Sequence, residues 1–322
     1  MSSQTATLSR QDLQRQAGVE LARRELARRY LSDFCGYVYR GYPQASHLAV
    51  LHRHLQQVER YIATGGREGI GRLMVNMPPR HWKSTTTSVL FPGWVLGRNP
   101  DVRAIVTSYN GSLAFGFSRR TRNLLQDTPF SNLFGGQRST QAPVELSEDS
   151  RSVEAWDIEG HRGGMAAAGV GGGLTGKGAD LLIVDDPHKD RAESESQAKR
   201  EAVWEWWTST ARTRLERGAA VVVIQTRWHL DDLSGRLLQQ MANDPEADQW
   251  VVLSLPAVAE EWAGGVDDDR ARKALSMGYW LGTDPLGRSP GELLWPEVFP
   301  ATSLLPIKAA SQIGRASCRE RV

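Results

Sequence analysis

Short runs of apolar residues alternate along the chain with longer segments in which apolar residues recur at helical spacing. The apolar runs predict strands at 72–76, 102–108, 180–186 and 219–226, with an edge strand or hairpin arm at 152–158. The periodic segments predict helices at 10–31, 47–62, 84–96, 111–125, 191–215 and 231–241. Strands that are apolar along their whole length are typical of parallel sheets covered on both faces. The sequence therefore predicts an α/β fold with a mainly parallel sheet and helices on both faces.

Two stretches depart from this alternation. Residues 163–178 contain eight glycines and predict a flexible loop. After residue 257 the chain is rich in Gly, Pro and Asp, which is typical of a linker or an edge subdomain. We therefore expect an N-terminal helical region at 1–65, a core at 66–257 and a linker or edge subdomain at 258–310. Residues 311–322 resemble translated vector sequence, and we expect a non-native tail there.

Composition narrows the class of protein. Hydrophobic residues make up 40% of the 322 positions, which is enough for a sizeable core. The formal net charge is +2, so contact with DNA would depend on local basic patches. The longest aliphatic run, at 219–224, is far shorter than a membrane span, and the polar N-terminus has no secretory signal. The two cysteines imply no disulfide framework, and we expect a soluble intracellular protein.

The stretch VNMPPRHWKSTT (75–86) predicts a phosphate-binding loop, although it lacks the glycines of the G-x-x-x-x-G-K-[ST] pattern. Lys83 and Ser84 lie between a predicted strand and a predicted helix, where backbone N–H groups can face an anion. A competing match, GGGLTGKG (171–178), places Lys177 before a glycine without a hydroxyl and before a predicted strand. The context favours Lys83, and the glycine segment is either a flexible loop or one that closes over substrate.

A carboxylate pair follows the apolar run LLIV. Asp185 and Asp186 come at the predicted carboxyl end of a strand, the edge at which open α/β sheets bind ligands. There Asp185 would belong to a Mg²⁺ shell and Asp186 would orient or deprotonate an attacking water. The alternative is that the pair caps the following helix with the help of Pro187.

A polar triplet, Gln225–Thr226–Arg227, ends another apolar strand. At that position it could sense a γ-phosphate. The alternative is an ordinary strand exit with a surface arginine.

Together these segments resemble the large terminase subunit of tailed bacteriophages, the motor that packages DNA. The resemblance extends over residues 24 to 300, and the matching segments occur in the family's order. These segments are NMPPRHWKST (76–85), TSYN (107–110), GGGLTGKGADLLIVDDPHKD (171–190), IQTRWHLDDLSGRLL (224–238) and LGRSPGELLWPE (286–297).

The resemblance implies a P-loop NTPase of the additional-strand (ASCE, RecA-like) type, which binds ATP and Mg²⁺. Lys83 and Ser84 match the family's phosphate and Mg²⁺ ligands, and Asp185 matches the Walker B aspartate. Asp186 matches the catalytic carboxylate. Arg80 lies where the family often has an arginine that senses phosphate in cis.

Further residues are implied by the same resemblance. The triplet Gln225, Thr226 and Arg227 matches the motif that couples hydrolysis to movement, and His47 lies near the adenine-contacting region. The remaining loop residues would contact the nucleotide; these are Pro79, His81, Trp82 and Thr85. A trans-acting arginine could be Arg212, Arg214 or Arg217, and the sequence does not choose among them.

The sequence departs from the family's pattern at two positions. Trp82 stands where glycine is common, so either the backbone avoids positive φ there or the site is weakened. Asp186 is one methylene shorter than the more widespread glutamate.

The family resemblance also implies partners and a place of action. These are double-stranded DNA, a portal protein, a small terminase subunit and further copies in a homo-oligomeric ring, with no membrane. We expect action in the host cytoplasm, at the portal vertex of the procapsid. The rival functions are a helicase-like or remodelling ATPase and a non-hydrolysing structural docking subunit.

The family's nuclease has no visible counterpart in this sequence. After Glu292 only Glu297 and Glu320 are acidic, and the aspartates at 267–269 are expected in a solvated loop. Two metal ions need a larger acidic cluster. We therefore expect ATP hydrolysis but no cleavage of plasmid DNA.

Overall fold

A single eight-stranded sheet organises the part of the chain that the computed structural model describes, namely residues 9–135, 143–174, 176, 178–259, 284–304 and 306. The strand order is β3-β4-β5-β2-β6-β7-β1-β8, and only the pairs β3–β4 and β4–β5 are antiparallel. The strands are β1 (Arg72–Asn76), β2 (Arg103–Ser108), β3 (Leu146–Arg151), β4 (Ala155–Ile158), β5 (Gly164–Gly169), β6 (Ala179–Asp185), β7 (Leu215–Gln225) and β8 (Val251–Ser254).

Helices cover both faces of this sheet. They are α1 (Arg10–Arg29), α2 (Leu31–Val38), α3 (Ser46–Ala63), α4 (Lys83–Thr85), α5 (Phe91–Arg98), α6 (Gly111–Gln126), α7 (Thr128–Phe134), α8 (Arg191–Glu195), α9 (Gln197–Trp206) and α10 (Leu233–Asn243). A π-helical turn, Thr86–Leu90, joins α4 to α5 without a break. A second π-helical turn, Trp207–Ala211, and a 3-10 turn, Arg212–Arg214, follow α9.

The alternation of side chains along each strand divides the interior into two cores. On β1, Leu73 and Val75 pack with the N-terminal helices and α5 to α7, whereas Met74 packs on the opposite face with α9 and α10. The apolar runs of the sequence are thus strands buried on both sides, and the predicted fold class is confirmed.

Strand register brings the polar strand ends to one edge. Asn76 pairs with Gln225, and Asp185 pairs with both Ser108 and Ile224. Because β7 lies between β1 and β6, an additional strand separates the strand that enters the phosphate loop from the strand that ends in the two aspartates.

The prediction of a flexible loop at 163–178 is partly wrong, because Gly164–Gly169 form β5. The glycines there permit close backbone approach rather than flexibility. A Cβ on Gly164 would lie 2.2 Å from the carbonyl oxygen of Trp156, and one on Gly169 would lie 2.6 Å from the nitrogen of Gly111.

The predicted long helix at 191–215 is also interrupted. Ser196 is extended, with φ −74° and ψ 115°, so α8 and α9 are separate, and β7 already begins at Leu215. Among the described residues the sequence interpretation also omitted α2, α7, β3 and β8.

Residues 284–304, which follow the gap in the described chain, pair with the segment that leaves β8. Their backbone joins the segment after β8 through bonds from Ala259 N to Glu292 O (2.8 Å) and from Leu294 N to Ala257 O (2.9 Å). Among the described helices none is long and apolar enough to cross a membrane.

Candidate functional site

The loop from Met77 to Trp82 joins β1 to α4 and carries Lys83 at its end. Arg80 and Trp82 have φ of 63° and 64°, in the left-handed region that favours glycine. Each non-glycine residue held there costs about 1–3 kcal/mol. Of the two alternatives for Trp82, the one in which the backbone avoids positive φ is therefore wrong, and other contacts must hold the loop.

Aromatic packing holds the Trp82 ring. It lies edge-on to Tyr39 and to Tyr42, with ring centroids 5.3 and 5.4 Å apart. The buried Tyr42 hydroxyl also lies 2.7 Å from Thr86 Oγ1 and 2.9 Å from His52 Nε2. The region that follows α2 thus supports the loop and the first turn of the helix behind it.

Lys83 meets both aspartates of the strand end. Its Nζ donates to Asp186 Oδ2 and lies 3.7 Å from Asp185 Oδ1. The lysine and Asp185 side chains are 5% and 1% exposed, so these two charges are almost fully withdrawn from water, whereas the side chain of Asp186 is 28% exposed. Residues that are about a hundred positions apart in sequence therefore meet at one point of the sheet edge.

Two serine hydroxyls hold the carboxylate of Asp185. Ser84 Oγ donates to Oδ1 at 2.9 Å, and Ser88 Oγ donates to Oδ2 at 2.5 Å. Burial raises the pKa of Asp185 to about 6, with Asp186 adding to the rise, while Lys83 and the two serines oppose it. Ser88 was not predicted; its spacing of one helical turn from Ser84 was the signal in the sequence.

Asp186 has φ 46° and is fixed through its backbone and its side chain. Its N–H donates to Ile224 O at 2.8 Å, and its Oδ1 accepts from the backbone N–H of Thr226 at 2.8 Å. The alternative that the aspartate pair caps the next helix is wrong, because Asp190 caps α8.

The other two residues of the triplet converge on Asp232. Gln225 Nε2 and Arg227 Nε donate to Asp232 Oδ2 at 2.9 and 2.8 Å, while its Oδ1 caps α10 through Gly235 N. Arg227 is 18% exposed, so it is not a surface arginine at a simple strand exit. No hydrogen bond or ion pair joins Arg227 to Lys83 or Asp186. Thus only Thr226 of the triplet contacts the lysine–aspartate cluster.

The remaining predicted loop residues surround Lys83 in different environments. Pro79 and Arg80 are exposed, whereas His81 is 2% exposed and its Nδ1 lies 2.8 Å from Pro79 O. Thr85 Oγ1 accepts a hydrogen bond from Arg120 Nη2 at 3.2 Å. Arg120, on α6, was not predicted.

The donor set at this edge fits Mg²⁺ with a nucleotide. Among the described residues no three His, Cys, Asp or Glu side chains form a self-sufficient metal cage. Mg²⁺ takes one or two protein oxygens and completes its shell with phosphates and water, which Ser84 and Asp185 allow. The Oγ of Ser108, at the end of β2, and the amide of Asn76, at the end of β1, are buried without hydrogen-bond partners in the described part of the chain.

Some predicted residues do not join the cluster. His47 is fully buried in α3, and its ring centroid lies 5.6 Å from that of His81, which places it behind the loop. Lys177, the competing lysine, and the aspartates at 267–269 lie outside the described residues.

Comparison with known protein families finds a match to one family. The family described as "Terminase large subunit, T4likevirus-type, N-terminal" matches residues 74–288. No curated protein matches the chain.

Two solved structures are similar to this chain. One is a mutant ATPase domain of the large terminase of Thermus phage P74-26, with 14% identity, a TM-score of 0.40, and coverage of 71% of this chain and 86% of that one. The other is the large terminase of bacteriophage HK97, with 12% identity, a TM-score of 0.46 and coverage of 90% of this chain. This chain covers 52% of that protein.

Proposed function

Since the chain belongs to the family of large terminase subunits, in their N-terminal part, we propose that it is an ATPase motor. It hydrolyses ATP with Mg²⁺ and drives double-stranded DNA into a procapsid. The observation that carries this proposal is the largely buried cluster in which Lys83 Nζ lies 3.7 Å from Asp185 Oδ1 and donates a hydrogen bond to the partly exposed Asp186.

In this proposal each charged residue of the cluster has one task. Lys83 neutralises charge on the transferred phosphoryl group, which in such reactions is the main contribution of the protein. Ser84 and Asp185 hold Mg²⁺, which supplies further charge neutralisation when bound. Pro79, Arg80, His81, Trp82 and Thr85 line the phosphates.

Asp186 orients the attacking water and accepts its proton. Its Oδ1 is fixed by the N–H of Thr226, so the carboxylate has a defined direction before substrate binds. Arg80, which is exposed at the loop, and Arg227 sense the phosphate. Gln225, the last residue of β7, and Thr226, the residue after it, couple ATP hydrolysis to movement.

The family supports the wider setting of this activity. The partners would be double-stranded DNA, a portal protein, a small terminase subunit and further copies of the chain in a ring. The place of action would be the portal vertex in the host cytoplasm. A net charge of +2 implies that DNA is held by local arginine and lysine clusters.

Steady-state ATP turnover tests this proposal. Lys83→Ala should lower kcat by about 10²–10³-fold, because a preorganised charge at the transferred group is lost. Lys177→Ala is the matched control and should retain most turnover. Equal loss in both variants, or none in Lys83→Ala, would overturn the assignment.

A second assay separates the motor from its rivals. Purified protein is added to procapsids that carry the portal, and DNA protected from nuclease is measured with and without ATP. ATP-dependent protection supports the packaging motor. Turnover without protection favours a helicase-like or remodelling ATPase, and protection without turnover favours a structural docking subunit.

A further inference from the structure

His81 of the phosphate loop packs against aromatic residues that lie more than two hundred positions further along the chain. His81 lies between the two left-handed residues, Arg80 and Trp82, and its ring is buried. Phe299 stacks on this ring with centroids 4.6 Å apart and planes 24° apart, and the centroid of Trp295 lies 6.0 Å away.

The segment that carries these aromatic residues has its own attachment to the core. Arg288 Nη1 donates to Pro256 O at 3.0 Å, and the side chain of Leu294 is 3% exposed within the main core. Trp295 and Phe299 also contact each other, with ring centroids 6.2 Å apart. The pair is therefore a fixed surface against which the loop packs.

The geometry points to Phe299 and Trp295 as positioning residues for phosphate binding, an inference that rests on the proposed function. They hold His81 so that Arg80 and Trp82 stay in left-handed conformations and Lys83 stays at the aspartates. A loop without glycine reaches this conformation only where its surroundings enforce it. If fewer molecules have the competent loop, apparent nucleotide affinity falls by the same fraction.

The test compares Phe299→Leu with Val298→Ala, a neighbour whose side chain is 49% exposed. Binding of Mg·ADP is measured by calorimetry, and KM and kcat for ATP are measured in parallel. Phe299→Leu should weaken ADP binding and raise KM by about two- to twelvefold, the range of one aromatic pair, with kcat unchanged. Phe299→Tyr, which keeps an aromatic ring, should retain the wild-type ADP affinity and KM. Val298→Ala should also match wild type.

A double-variant cycle tests whether Phe299 acts through His81. Adding Phe299→Leu to His81→Leu should weaken binding no further than His81→Leu alone. Additive losses would overturn the proposal, as would wild-type binding in Phe299→Leu. If Phe299→Leu folds poorly by circular dichroism, Trp295→Leu, on a half-buried residue, serves for the same cycle.

These outcomes are distinct from failure of the proposed function. If wild-type protein neither binds Mg·ADP nor hydrolyses ATP, the proposed function fails, and this inference fails with it. If wild type does both and Phe299→Leu behaves identically, only the positioning role is refuted.

Discussion

Replacing Ser88 with alanine removes one of the two hydroxyls that hold the carboxylate of Asp185. The bond is 2.5 Å long and fully buried, and its acceptor lies in a charged cluster. Hydrogen bonds to charged groups contribute about 1.5–3 kcal/mol. If Asp185 is a Mg²⁺ ligand, Ser88 orients it from behind, and loss of such a partner typically weakens metal affinity about 10–100-fold.

The assay is nucleotide binding as a function of free Mg²⁺. For Ser88→Ala we expect the half-saturating Mg²⁺ concentration to rise by about 10–100-fold. Binding in EDTA should stay at the wild-type level, because among the described residues the hydroxyl donates its hydrogen bond to Asp185, whose proposed role is to hold the metal.

Thr87→Val is the matched control for Ser88→Ala. It removes the adjacent buried hydroxyl, which has no hydrogen-bond partner among the residues that the structure describes. It should leave the Mg²⁺ dependence unchanged. A wild-type Mg²⁺ dependence in Ser88→Ala, or an equal loss in Thr87→Val, would refute the reasoning.

Three further predictions concern catalysis, pH and packing. Asp186→Asn should keep Mg·ATP binding and lose turnover, whereas Asp185→Asn should weaken the metal-dependent part of binding; normal turnover in both would make the strand end structural only. Burial lowers the pKa of His52 from its ordinary value of 6.5 to about 4, so the unfolded chain takes up the proton first. The unfolding temperature should therefore fall as pH drops from 6.5 towards 4, less steeply in His52→Gln. A Cβ on Gly235 would lie 1.7 Å from Leu230 O, so Gly235→Ala should cost roughly 1–3 kcal/mol in urea unfolding.

The meeting of Lys83 with the two aspartates could be predicted from sequence. Carboxyl ends of parallel strands share an edge, so residues that end different strands come together whatever their separation along the chain. The roles of these residues stay predictions, since the contacts show proximity and not turnover.

The supporting contacts could not be predicted in the same way. Ser88 directly follows three threonines, at 85–87. Which of these four consecutive hydroxyls faces Asp185 depends on the helix register, and in the structure it is that of Ser88. Asp232 accepts hydrogen bonds from Gln225 and Arg227 and also caps α10. Its position in the sequence predicts the cap but not the other two bonds. The glycines of β5 serve close packing, which is indistinguishable from loop flexibility in a sequence.

The absence of glycine from the phosphate loop is explained by what surrounds it. Two left-handed non-glycine residues cost about 2–6 kcal/mol together. Three ring contacts, of Trp82 with Tyr39 and Tyr42 and of His81 with Phe299, contribute about 1.5–4.5 kcal/mol beyond their burial. The two free energies are comparable, so contacts with neighbouring segments, rather than the conformational preferences of the loop's own residues, stabilise the conformation of the loop. A loop of this kind cannot relax alone, and any change in its shape must also shift the segments that carry those rings.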